Sequence, residues 1–443
     1  MNEPPGDTLF VDPLFDEAWA ALGGGPHAPV TVQGSTGLAG PLAAEELALA
    51  AVAAQLLAAR EWRGAGSIDD RAPVELDARH VGLAVRSERF VRRGDRPVGP
   101  GFAPMSRFWR TADGWVRLHA NYPHHRAAVL SVLGEDDPDA TAAALAAVEL
   151  EEAVVAAGGA AAAVRTEAEW AGSPPGRAVA GLPLLGLDRI GEAPARDAAR
   201  PRVLALTRVI AGPVAARTLA AHGADVLRLE SPRLPEDPGT LADTGSGQRT
   251  AVLDLATHSG RATAEELLAA ADVVLLGYRP GALEALGLDP AELAVRHPHL
   301  VVVRLSAWGT DGPWGRRRGF DSLVQAATGI ATACGGPGAP GALPAQVLDH
   351  ATGHLAAAAA LRALARRRAE GGTWSAELAL ARTAARLLAA GRRPDRPGDE
   401  PDPAPYLVDL PADGGPLTVV GPPGCPPWTH AALPAEPAWL AGP

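Results

Sequence analysis

The sequence predicts an α/β protein: a parallel sheet with helices on both faces, joined to a smaller α+β capping domain. Three observations carry this reading. Short apolar runs alternate with helical stretches of about ten residues between 202 and 306, the signature of repeated strand–helix–strand units. Hydrophobic residues make up 47% of the chain and charged residues 21%, an ordinary balance for a globular protein. At 443 residues the chain has room for more than one core.

The elements follow in order. "GEAPARDAARP" (191–201) reads as a linker, and "RVLALT" (202–207) as a buried strand before a turn at Gly212-Pro213. "VAARTLAAHG" is a helix with Gly223 closing it, and "ADVLRLE" is the next strand. "TAVLDL", "RATAEELLAAA", "DVVLLGY", "LDPAELAVRHP" and "LVVVRLS" continue as strand, helix, strand, helix and strand. Ligands on such Rossmann-like sheets bind at the carboxyl ends of the strands. The first strand–helix turn, "LTRVIAGPVAA", is not a dinucleotide fingerprint, and "GSGQRT" (245–250) lacks the third glycine and precedes a strand.

Before residue 195 the pattern changes. "TADGWVRLHANY" (111–122) reads as a turn and strand, with apolar helical patterns at 43–60 and 140–157. Trp109, Trp115, Trp170 and Phe108 are expected in cores or interfaces. A repeat spaced by 300 residues links "GDRP" (94–97) to "PDRP" (394–397) and "TADG" (111–114) to "PADG" (411–414). Each pair follows an Ala/Leu/Arg helix, 47–60 and 355–366. The expected divisions are 1–195, a small capping domain; 196–391, the catalytic Rossmann-like domain; and 392–443, a proline-rich tail with a partial repeat of the small domain.

Composition excludes several chemistries. The chain has no lysine, so all 40 basic residues are arginine, and Schiff-base and P-loop mechanisms fall away. A formal charge of -11 opposes nucleic-acid binding. The two cysteines, Cys334 and Cys425, make no disulfide framework. No apolar run reaches the roughly 18–20 residues needed to span a bilayer, and the acidic N-terminus lacks a basic leader. A cytoplasmic protein with no membrane partner is expected.

The chemistry-bearing residues are few. Asp349, in "VLDHATGH" (347–354), stands where an apolar run becomes an alanine-rich helix. It reads as a helix N-cap or as a nucleophilic carboxylate, and the two roles are compatible, because a helix N-terminus favours the anion. His350 and His354 lie one helical turn apart but lack the glutamate and third ligand of a zinc site, so no metal is expected. Cys334 has no partners for nucleophilic catalysis and reads as a small buried residue.

The order of motifs then resembles the class III (CaiB/BaiF) CoA-transferases, which include formyl-CoA transferase and carnitine CoA-transferase. The resemblance starts at "VLALTRVIAGPVAARTLAAHGADVLRLESP" and continues through "LLGYRPGALEALGLDPAEL" and "GRRRGFDSLVQAATGI" to "VLDHATGH", over about 202–390. In that family the aspartate matched by Asp349 is the nucleophile. The resemblance implies attack on an acyl-CoA thioester, an aspartyl-CoA intermediate, and CoA transfer to a carboxylic acid. CoA is then a substrate, with no tightly bound cofactor. It implies CoA contacts at Arg208, Ile210, Ala211, Leu253, Ala256, Gly277, Tyr278 and Phe320. Gly277 stands in place of the usual asparagine and Ala285 where some members have arginine, with Arg228, Arg233, Arg249 and Arg279 available to compensate. The α-methylacyl-CoA racemases of this group carry a histidine where Phe320 stands, so racemase chemistry is the alternative, followed by a non-catalytic acyl-CoA-binding descendant. "FAPMSRFWRTADGWVRLHANY" resembles the small domain that normally follows the catalytic half, so the order is expected to be permuted, or to be the remnant of a fused, partly duplicated pair. Family members are interlocked homodimers, and a homodimer is expected here.

Overall fold

The structure, a computed structural model, describes residues 8–64, 72–99, 101–336, 338–394 and 398–440. Asp395–Pro397, part of the second "PDRP" turn, lie outside the described residues. The apolar runs form the centre of an eight-stranded sheet. Its spatial order is Leu433–Pro434, Arg249–Val252, Asp225–Glu230, Arg202–Leu206, Val273–Leu276, Val301–Ser306, Thr373–Ala379 and Leu185–Gly191. Neighbours are parallel except the last pair, where Leu185–Gly191 runs antiparallel to Thr373–Ala379.

Val273–Leu276 is apolar at every position, and the strands beside it carry apolar residues on both faces, because both faces of the sheet are covered. Side-chain alternation divides them. Val203, Val273, Leu275, Val301 and Val303 pack into the larger core with the helices Ala211–Ala221 and Val347–Glu370. Leu204, Leu206, Val274, Leu276 and Val302 join the helices His258–Ala270 and Pro290–Arg296 on the opposite face. From Arg202–Leu206 the chain steps outward through Asp225–Glu230 to Arg249–Val252, then returns to Val273–Leu276 on the other side of the first strand. The strand order reverses between Arg202–Leu206 and Val273–Leu276, so the loops after them diverge and open a crevice.

The long helix Val347–Glu370 lies against this sheet and against Ala44–Gly64, and both helices bury alanines over most of their surface. Small side chains let their axes approach closely. At its far end the helix is tied to the sheet through fully buried Arg367, whose guanidinium donates to Asp272 Oδ1 at 2.9 Å and to the His299 carbonyl at 2.7 Å. Near its start, Gly353 allows contact with Ala211–Ala221: a β-carbon there would sit 2.5 Å from the Ala211 carbonyl oxygen and 2.9 Å from Val214 Cβ.

The rest of the chain wraps this unit. Phe108–Arg110, Trp115–Leu118 and Ala161–Ala163 form an antiparallel sheet packed on Pro123–Leu133 and Ala147–Ala156. The helical pattern at 140–157 divides at Leu145 into Pro138–Ala144 and Ala147–Ala156, because Leu145 adopts an extended backbone. Helix, strand and helix occur twice in order, as Ala44–Gly64, Val74–Asp77 and Ala78–Ala84, and as Val347–Glu370, Thr373–Ala379 and Leu380–Ala389. In each set the strand pairs in parallel with an earlier one, Val30–Gln33 or Val301–Ser306. The tail does not stand apart: Leu417–Val420 pairs with Arg92–Arg93, and Leu433–Pro434 extends the main sheet.

Gly353→Ala is expected to force the long helix off Ala211–Ala221 and lower stability by about 1–3 kcal/mol, measured by denaturant unfolding.

Candidate functional site

The helix Val347–Glu370 begins without a side-chain cap of its own: Gln346 precedes it and makes no capping bond. The cap comes from another helix. Asp321, the first residue of Asp321–Thr328, reaches over and accepts the Asp349 backbone N–H at 3.0 Å, and the Leu348 backbone bonds it as well. Its other oxygen accepts from Gln325 Nε2. Asp349 is therefore not the N-cap. It is the third residue of the helix, and its carboxyl group accepts no hydrogen bond among the described residues.

The expectation that the helix end keeps Asp349 ionised is also corrected. Burial, and then the neighbouring Asp321, push its pKa well above the usual carboxylate range. Burial raises Asp321 to about 6, against the lowering effects of Gln325, the two backbone N–H groups and Arg117. Two carboxyls side by side in a dry site cannot both ionise cheaply.

Asp349 lies where two cavities meet. The first, of 310 Å³, fills the crevice at the strand-order reversal. Arg208, Ile210 and Ala211 line it from the loop after Arg202–Leu206, and Gly277 and Tyr278 from the loop after Val273–Leu276. The second, of 630 Å³, opens towards the first half of the chain, with Glu88, His119 and Asn121 on one wall and Leu343 on another. Tyr122, Val209, Ile210, Phe320 and Asp349 border both. His119 is buried and stacks on Phe320 with ring centroids 3.6 Å apart, which joins the first half of the chain to the loop before Asp321. Burial pushes the His119 imidazole down to about 3, so it is neutral.

One buried carboxylate, Glu236, holds the loop between the cavities. It accepts the Val209 N–H at 2.8 Å, the Tyr122 hydroxyl at 2.7 Å and an Arg228 N–H at 3.1 Å. Val209 is the one non-glycine with positive φ, 66°, among the described residues. A β-branched residue resists that conformation, and the Glu236 bond helps to hold it there. Burial works to raise the Glu236 pKa, but Arg228, the Val209 N–H and Arg208 outweigh it and lower it.

Of the anticipated contacts, the structure brings Arg208, Ile210, Ala211, Gly277, Tyr278 and Phe320 to one cavity with Asp349. Leu253 and Ala256 line neither cavity. They follow Arg249–Val252, which the strand Asp225–Glu230 separates from the reversal point. Three arginines considered as compensating contacts are used internally: Arg228 with Glu230 and Glu236, Arg233 with Asp254, and Arg249 with Asp225. Arg279 does line the first cavity, together with Arg318, and among the described residues neither side chain forms an ion pair or hydrogen bond. Residue patterns gave no sign of Glu236, Glu88 or His119. Asp321 was visible in the "GFD" motif but had no assigned role.

The paired carboxyls set a pH dependence. A carboxyl whose folded pKa is raised costs stability as pH climbs from its unfolded pKa, about 3.9, through the folded value, and costs nothing below both. Asp349→Asn is therefore expected to melt above the parent at pH 8, with the difference closing towards pH 4, as followed by calorimetry across that range.

Residues 199–396 match CoA-transferase family III. A probable fatty acyl-CoA transferase of Mycobacterium tuberculosis is 37% identical over 196 residues, which cover 40% of this chain and 50% of that protein. A succinate–glutarate CoA-transferase of Agrobacterium fabrum is 32% identical over 248 residues, covering 50% of this chain and 62% of that protein. The crystal structure of a CaiB/BaiF family protein from Brucella suis superposes with a TM-score of 0.40 at 28% identity, covering 52% of this chain and 66% of that one. The chain thus spans between half and two thirds of the length of these curated relatives. Among the described residues no helix is long and apolar enough to cross a membrane. The likeness to CoA-transferase family III thus extends over residues 199–396, somewhat less than half of the chain.

Proposed function

We propose that the chain transfers CoA from an acyl-CoA thioester to a carboxylic acid through an aspartyl-CoA intermediate on Asp349, with CoA as a substrate. The observation that carries this reading is the position of Asp349: a carboxyl with no internal hydrogen-bond partner, bordering two cavities at once. A transferase of this type needs one space for the CoA thioester and one for the acids that exchange. The first cavity suits the CoA side. Arg279 and Arg318 offer unpaired guanidinium groups for phosphate, and the helix Ala211–Ala221 begins at its wall.

In this mechanism the Asp349 carboxylate adds to the thioester carbonyl, and the carbon–sulfur bond breaks to release CoA thiolate and leave a mixed anhydride. The thiolate attacks the Asp349 carbonyl carbon, expelling the donor acid as its carboxylate. The acceptor carboxylate then displaces the thiolate, forming a second anhydride. Attack of the thiolate on the acceptor acyl carbon restores Asp349 and yields the new thioester. The raised pKa of Asp349 makes it a more basic nucleophile once deprotonated, and Asp321 secures the backbone at the reacting residue. The acyl chain keeps its α-hydrogens throughout, unlike in a racemase. The capping half 1–195 and the catalytic half 196–391 would work as one unit, since Tyr122 borders both cavities and His119 the second, as Asp349 does.

Asp349→Ala is expected to lower exchange between acyl-CoA and free acid by at least about a thousandfold. Hydroxylamine added during turnover should mark Asp349 by mass spectrometry, and the recovered acyl-CoA should carry no deuterium from D2O. An active Asp349→Ala protein contradicts the reading. Arg279→Ala with Arg318→Ala is expected to raise KM for the thioester roughly tenfold or more with little change in kcat.

A further inference from the structure

The second cavity has a lopsided charge. Four carboxyl groups line it, Glu88, Asp237, Asp321 and Asp349, against one guanidinium, that of Arg89. Arg89 is already engaged: it donates to the Pro344 carbonyl and stands 3.7 Å from Glu88 Oε1. Glu88 leaves its other oxygen, Oε2, buried with no hydrogen-bond partner. Burial first, and then Asp243, push this carboxyl up to about 7. His119, 5% exposed on the same cavity, leaves Nδ1 without a partner. Phe102, Phe320 and Leu343 supply an apolar surface between these polar groups.

Buried polar atoms without partners are costly, and a ligand that satisfies them gains what the free protein lacks. The acid that enters this space must bring one carboxylate to Asp349. Once Asp349 is acylated it is uncharged, so that carboxylate meets no like charge there. A second carboxylate on the same molecule has no such relief. At pH 8, above the raised Glu88 pKa, where the binding order is to be measured, it finds the Glu88 and Asp237 carboxylates, and only an occupied Arg89. A hydroxyl or ammonium group, by contrast, donates directly to Glu88 Oε2.

We propose that the second cavity selects a monocarboxylic acid carrying a hydrogen-bond donor on its chain, a hydroxyl or an ammonium group, and turns away dicarboxylic acids. The inference rests on the transfer reading in assigning this acid as the acceptor. Asp349→Asn protein, uncharged at that position like the acylated enzyme, serves for the binding measurement. Butyrate, 4-hydroxybutyrate, 4-aminobutyrate and succinate, of equal chain length, are titrated by calorimetry or saturation-transfer NMR. The hydroxy and amino acids should bind about tenfold more tightly than butyrate, and succinate more weakly than butyrate. Adding Glu88→Ala should erase the preference. Glu88→Gln should retain it for the hydroxy acid, since the amide oxygen still accepts, and weaken it for the amino acid. Succinate binding as tightly as the hydroxy acid, a preference that survives Glu88→Ala, or binding of none of the four overturns the inference. The same acids in a CoA-exchange assay keep the two readings apart. The expected binding order without exchange contradicts transfer alone, whereas exchange that favours succinate contradicts the selectivity alone.

Discussion

The bond from the Asp349 backbone to the Asp321 carboxylate is the contact on which the site depends. It closes the start of a long helix that has no cap of its own, so that the Asp349 side chain is left with no structural duty. A capping aspartate spends its carboxylate on N–H groups at its own helix start. Here that task passes to a residue of another helix, and the freed carboxyl projects into the space between two cavities. The arrangement has an electrostatic cost, because Asp321 is itself a carboxylate and adds to burial in raising the Asp349 pKa. Functional sites commonly hold such unfavourable pairs, with the surrounding fold supplying the stability.

That stability comes from the helix packing. Val347–Glu370 is held between the sheet and Ala44–Gly64, tied at its far end by Arg367 and pressed against Ala211–Ala221 at Gly353. Ala211–Ala221 begins where the strained Val209 loop ends, and Glu236 ties this loop to Tyr122. Asp349, the loop at the strand reversal and the first half of the chain are therefore linked through side chains that are nearly all buried. Both cavities take part of their walls from the first half. The site thus depends on parts of the chain far apart in sequence, including a helix almost 300 residues from its packing partner.

The central sheet was legible because its strands are apolar on both faces and its connections are short helices. Runs such as "VLAL" and "VVLL" allow little else, and observed strand limits differ from the sequence reading by one to a few residues. The antiparallel edge strand Leu185–Gly191 was not legible, since its pairing with Thr373–Ala379 joins residues far apart and leaves no local pattern. The site divides the same way. Asp349 and the loops after the strands stood out through motif order. The cap on Asp349, the Glu236 hub and the arginines used in internal ion pairs are long-range charge arrangements, and single residues do not reveal partners elsewhere in the chain. Motif order also pointed to Leu253 and Ala256, which the sheet order places one strand away from the crevice.

In the proposed mechanism Asp349 exchanges a carboxylate oxygen with the acids that pass through the site. This exchange is tested by turnover with an acyl-CoA donor and an acceptor acid labelled with ¹⁸O in its carboxylate, followed by peptide mass spectrometry. In the proposed sequence the acceptor oxygen that bridges the second anhydride stays with Asp349 when CoA departs with the acyl group. The peptide containing Asp349 should therefore gain one ¹⁸O in the first turnover and approach two as further turnovers replace both carboxylate oxygens. New acyl-CoA formed while Asp349 remains unlabelled would contradict the account.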